Sequence, residues 1–100
     1  MKVYISAPIS GQEETAERRF KEAEELLIRN GHEPVNPYER NKGFKTWEDA
    51  MMACLRTLRK CDAIMLCDGW NYSRGCQIER LFASGSDKHY TIIFEEGLKD

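Results

Sequence analysis

The sequence predicts a single α/β domain, a doubly wound parallel sheet with helices on both faces and strand order 2-1-3-4. Three observations predict it. Short β-prone runs alternate with longer segments of helical periodicity. The run at 62–67 is apolar between polar ends, as a central strand covered on both faces requires. One hundred residues, 41% apolar and 10% aromatic, fill one core but not two, so the domain spans residues 1–100.

The first strand is the β-prone run around Val3, Tyr4 and Ile5, stopped by Ala7, Pro8, Ile9, Ser10 and Gly11. Over 13–30, Ala16, Phe20, Ala23, Leu26 and Leu27 recur at helical spacing, with i,i+4 charge pairs such as Glu14/Arg18 on the wet side. Gly31 is the residue that ends this helix. Residues 32–37, around Val35 and bounded by proline, read as a short second strand near a sheet edge. Residues 38–45 are polar and read as a loop. Thr46 is an N-cap with Asp49 three residues on, and the helix it opens runs to about residue 60 through Trp47, Ala50, Met51, Cys54, Leu55 and Leu58. The third strand occupies 62–67. A loop rich in turn formers follows at 68–75, and then Cys76, Ile78, Leu81, Phe82 and Ala83 describe a helix reaching Gly85. Residues 89–94 form the fourth strand.

Right-handed crossovers between these strands give a flavodoxin- or Rossmann-like sheet. Its connections reverse direction between strands one and three, and the crevice outside their carboxyl ends is where such folds bind ligands. The loops at 6–12 and 68–75 line it.

Composition excludes several function classes. The net charge is −2 with both signs mixed along the helices, so no face carries the footprint of a duplex-binding protein. No apolar stretch approaches the roughly 20 residues that cross a bilayer, and the chain opens on a strand rather than a signal peptide, so a cytoplasmic protein is expected. Cys54, Cys61, Cys67 and Cys76 are too far apart for a zinc site or a CxxC motif and read as buried free thiols. No metal site or cofactor motif is present in the sequence, and His32 and His89 are isolated.

The crevice loops contribute Ser6, Ser10 and Gly11 from one side and Asp68, Trp70, Asn71, Tyr72, Ser73, Arg74 and Gly75 from the other. Two readings of Ser73 and Arg74 stand side by side. The amino end of the helix offers free amides and a positive dipole end for an anion such as phosphate, with Arg74 as a charged donor. Alternatively Ser73 is an ordinary cap and Arg74 a solvated side chain. Trp70 and Tyr72 read either as a stacking wall for a base or as packing over the sheet end. Glu79 lies on the Cys76/Ala83 side of the helix, beside the Ile78/Leu81/Phe82 face and at the edge of burial, where it is either an exposed acid or a catalytic one.

The stretches 3–11, 61–66 and 69–79, in this order and spacing, resemble the nucleoside 2-deoxyribosyltransferase superfamily and its small bacterial and phage branch, the DUF4406-like domains. The resemblance covers nearly the whole chain. It implies that Glu79 attacks the anomeric carbon of a 2′-deoxyribonucleoside or its 5′-monophosphate to form a glycosyl-enzyme, with Tyr4 orienting it from the first strand. Water as acceptor would make a hydrolase and a second base a transferase. Six residues before the nucleophile, transferases carry an acid for the free 5′-hydroxyl and nucleotide N-glycosidases a serine for the 5′-phosphate. Ser73 stands there, which points to a nucleotide. Relatives complete their sites with a neighbouring subunit, which implies a homo-oligomer.

Two departures bear on catalysis. The superfamily's aspartate that helps protonate the departing base falls, eight positions before Asp62, on Cys54. Pro8 and Ser10 replace the serine and arginine that hold phosphate in glycosidases. The resemblance thus favours a nucleotide N-glycosidase or deoxyribosyltransferase. A non-catalytic nucleotide-binding domain is the alternative, and the spacing Ser73, Cys76, Glu79 admits an NAD glycohydrolase as a third reading.

Overall fold

Alternation along the first strand sorts the molecule into layers. In the computed structural model, which describes residues 1–40 and 42–99, β1 (Lys2–Ser6) sends Val3 and Ile5 to one face of the sheet and Tyr4 and Ser6 to the other. Helix α1 (Glu13–Arg29) covers the first face through Phe20, Ala23, Leu26 and Leu27. The opposite face receives Leu58 of α3 (Trp47–Leu58) and Ala83 of α4 (Arg74–Gly85).

The sheet is all parallel in the order β2-β1-β3-β4, with β2 (Glu33–Val35), β3 (Ala63–Leu66) and β4 (Thr91–Phe94) as the other strands. The doubly wound architecture read from the sequence is the one observed. β1 and β3 are the inner strands, and β3 is buried along its whole length, which is why its sequence shows no polar alternation. Tyr4 pairs in register with Val35 on one side and Ile64 on the other.

Four local features differ from the sequence expectation. Pro37 opens a one-turn helix, α2 (Pro37–Arg40), within the stretch expected to be loop, because proline's fixed φ suits a first helical position and the Asn36 side chain accepts the Tyr38 amide. Asn41 of that stretch lies outside the described residues. The loop after β3 contains a 3₁₀ turn at Trp70–Tyr72, and a further turn, α5 (Glu95–Leu98), follows β4 directly. The fourth strand begins at Thr91 rather than residue 89 because its partner strand starts at Ala63.

Helix ends follow their signals. Thr46 accepts the Asp49 amide, as a capping residue should. At the end of α1 the His32 amide reaches the Leu27 carbonyl and the Gly31 amide the Ile28 carbonyl, a Schellman pair that needs the positive φ of 80° at Gly31. This sharp exit brings the chain straight back into β2 beside β1. Gly31→Ala forces a Cβ into the left-handed region, so it should lower unfolding stability by about 1–2 kcal/mol with an unchanged denaturant slope in urea titrations.

Candidate active site

Three strand ends and two helices, α3 and α4, build the site. Tyr4 and Ser6, two residues apart on β1, point beneath α4, whose buried side is Cys76, Glu79 and Ala83 at helical spacing. Glu79 is therefore central to the packed face rather than at its edge, and is 6% exposed. Leu81, expected on that face, is instead 63% exposed, since the helix turns on the 76/79/83 line.

Both carboxylate oxygens of Glu79 are occupied. The Tyr4 hydroxyl donates to Oε2 and the Ser6 hydroxyl donates to Oε1 at 2.6 Å. The Cys54 thiol of α3 is a further hydrogen-bond partner of Glu79 and of Tyr4. Burial pushes the Glu79 carboxyl from 4.5 up to about 7, against the pull of the bonds from Ser6, Tyr4 and Cys54. Desolvation first, and the Glu79 charge second, raise the Tyr4 phenol well above its ordinary value, so it remains a proton donor. The Cys54 thiol is pushed to about 11 by the same burial and by Glu79, so it too stays protonated.

Glu79 and Cys54 open onto a cavity of about 280 Å³, the scale of a small-molecule site. Its walls come from the loop after β1 (Ala7, Ile9, Ser10), from the segment after β2 (Pro37, Tyr38, Lys42) and from the α3 face at Trp47, Ala50 and Met51. The amino end of α4 closes it with Ser73, Gly75 and Cys76. A second hollow adjoins that end, lined by Pro8, Gln12, Gly69, Tyr72 and Arg74 as well as Ser10, Trp47, Ser73 and Gly75.

Ser73 serves as a cap, its hydroxyl accepting the Cys76 amide at 3.3 Å, and it also lines the cavity. The Arg74 and Gly75 amides beside it have no intrahelical acceptor. The exposed Arg74 guanidinium lies over the Trp47 ring, 5.1 Å from its centroid. Gly69, with φ of 88° at the start of the 3₁₀ turn, lets the loop approach Pro8, whose Cγ would stand 3.4 Å from any added Cβ.

Not every loop residue singled out by sequence reaches the cavity. Trp70 packs its ring against Phe94 with the Arg80 guanidinium above it, so it covers the sheet end and lines neither hollow. The Asn71 carbonyl accepts from Gln77, Gly11 has only its positive φ of 82° to note, and Tyr72 is 90% exposed on the second hollow. Conversely, Tyr38, Lys42 and Trp47 line the cavity without having been singled out. A short segment directly after β2, beside the switch point, was the available signal. None of the four cysteines forms a disulfide, and no cluster of metal-ligating side chains exists among the described residues.

The family profile described as "Domain of unknown function (DUF4406)" matches residues 1–92. The chain belongs to that family. Among solved structures, this DUF4406 domain is similar to the Clostridium botulinum CMP N-glycosidase BcmB, with a TM-score of 0.61 and 20% identity over 94% of this chain and 67% of that one. That similarity is one of fold, including the all-parallel sheet. No curated protein matches the chain. No helix among the described residues is long and apolar enough to cross a membrane.

The raised carboxyl has a stability consequence with a definite sign. The folded form of Glu79 holds its proton more tightly than the unfolded form, so its contribution is fully present below pH 4.5 and is lost as pH rises through about 7. The shift corresponds to about 3 kcal/mol at most. Glu79→Gln, which mimics the protonated form, should match the parent near pH 4 and exceed it by about 1–3 kcal/mol at pH 8 in chemical denaturation. A variant less stable than the parent at pH 8 would contradict the assignment.

Proposed function

We propose that this DUF4406 domain cleaves the N-glycosidic bond of a 2′-deoxynucleoside 5′-monophosphate, with Glu79 as nucleophile and water or a second base as acceptor. The observation that carries this reading is a desolvated carboxylate, held by two hydroxyl donors, at the floor of a cavity outside the carboxyl ends of a parallel sheet. A carboxylate can stabilise an oxocarbenium-like transition state and then bond to it, and removal from water leaves it unscreened for that task. The likeness to a CMP N-glycosidase supports the same chemistry.

Each neighbour has a part in this reading. Tyr4 and Ser6 fix the plane of the carboxylate so that one lone pair faces the anomeric carbon. Ser73, the Arg74 and Gly75 amides and the Arg74 guanidinium receive the 5′-phosphate, with Ser10 opposite them. Trp47, under Arg74, supplies an apolar wall to the sugar. Gly11 shapes the first loop, whereas Trp70 and Asn71 act through the loop's packing. The domain needs no cofactor for this reaction. Ile9 and Trp47, about 40% exposed at the rim, are covered by a second copy of the chain in a homo-oligomer, which light scattering at micromolar concentration should report. The thiol at Cys54 favours one competing reading, a nucleotide-binding domain without turnover, because a thiol pushed to about 11 is a poor acid for a departing base.

Incubation with a panel of 2′-deoxynucleoside 5′-monophosphates and NAD, with chromatography for free base, separates these readings. Base release from at least one deoxynucleotide is expected, rising with pH through about 7 as Glu79 ionises. Glu79→Gln should reduce it to background with the fold intact. Arg74→Ala should raise KM about tenfold with little change in kcat, as loss of one charged hydrogen bond predicts. Nucleotide binding without any base release would favour the binding domain.

A further inference from the structure

Departure of a base from C1′ leaves an electron pair on the base, and a proton or a positive charge must meet it. Few groups in the cavity can do so. Glu79 is the nucleophile, and the Tyr4 phenol is committed to it. The Cys54 thiol is engaged with Glu79 and Tyr4, and the Cys76 thiol is 2% exposed beneath α4. Among the described residues lining the cavity, Lys42 is the one cation.

Strand order says which end of the cavity Lys42 occupies. The loops after β2 and β3 flank β1, so with strands about 4.8 Å apart they stand about 10 Å from each other across the Glu79 floor. Ser73, Arg74 and Gly75 belong to the β3 side, and the second hollow extends from that side without touching Pro37, Tyr38 or Lys42. The β2 side is therefore the opposite end. In a 5′-nucleotide the phosphate arm and the base leave opposite ends of the sugar ring, from C4′ and C1′, so a phosphate at the β3 side directs the base toward Tyr38 and Lys42. The Lys42 Nζ lies 5.0 Å from the centroid of the Tyr38 ring and 3.2 Å from the Glu39 carboxylate.

Resting on the nucleotide-glycosidase reading above, we propose that Lys42 is the catalytic acid of the leaving base, held on the Tyr38 ring that stacks or flanks that base. A Glu79 oxygen bonds to C1′ as the C1′–N bond breaks, and the electron pair goes to the base, which takes a proton from the Lys42 ammonium. Water then attacks C1′, the C1′–O bond to Glu79 breaks to restore the carboxylate, and the proton released by water returns to the Lys42 amine. The balance is the addition of one water across the glycosidic bond.

The test compares Lys42→Met with the parent on two substrates: the deoxynucleotide the parent cleaves best, and 4-nitrophenyl 2-deoxyribofuranoside 5-phosphate, whose leaving group departs without a proton. The variant should lose about 10²-fold in kcat on the nucleotide and less than about threefold on the nitrophenyl glycoside. Lys42 is half exposed, so its melting temperature should be unchanged, and a thermal melt verifies this. Equal losses on both substrates, or no loss on either, would overturn the assignment of Lys42 while leaving Glu79 as nucleophile. A parent protein that releases nothing from either substrate would overturn both readings together.

Discussion

Taking a carboxylate out of water beneath a helix is unfavourable unless its oxygens are met by donors, and the arrangement around Glu79 follows from meeting them. Tyr4 and Ser6 can reach it only because β1 alternates, which sends both hydroxyls to the face that α4 covers. The same alternation commits Val3 and Ile5 to α1, so moving β1 by one residue would exchange the core of one face with the donors of the other. The donors do not fully repay burial, which is why the carboxyl rises to about 7 instead of falling. That residual penalty leaves a group poised to change its charge near neutral pH.

The remaining elements hold the lip of the site in place. After β3 the Asp68 amide is bonded to Glu95 of α5, its carbonyl accepts from Arg19 of α1, and its carboxylate pairs with Lys99. The Lys99 pair is about half exposed and contributes little by itself. The backbone bonds matter more, since they fix where the chain leaves the sheet before the Gly69 turn and the start of α4. On the far side, the Lys88 ammonium donates to the Cys61 and Arg59 carbonyls, tying the approach to β4 to the end of α3.

Much of this was legible in the sequence, for identifiable reasons. The inner strand at 62–67 and the helix at 13–30 declare themselves by burial pattern, and Ser73 and Gly31 by capping chemistry. The switch point then follows from topology alone. The depth of Glu79 was not legible, because Leu81 looked as apolar as any core residue, and only packing decides whether α4 turns on 76/79/83 or 78/81/82. Nor was the inward role of Tyr38 and Lys42, where polar residues conceal a one-turn helix begun by Pro37. Trp70 shows the converse limit: an aromatic residue in a crevice loop served Phe94 and Arg80 instead of the cavity. Cys54, where the resemblance implies an acid, lines the cavity beside Glu79.

The site is defined by a carboxylate that is buried, doubly bonded and still ionisable near neutral pH. Carbon-detected NMR titration of the Glu79 side-chain carboxyl in the intact protein, assigned by its loss in Glu79→Gln, measures this directly. A midpoint near 7, lying well above those of the exposed glutamates, is the expected result. A midpoint near 4.5 would mean an open, solvated acid and would contradict both the burial that defines the site and the reactivity derived from it.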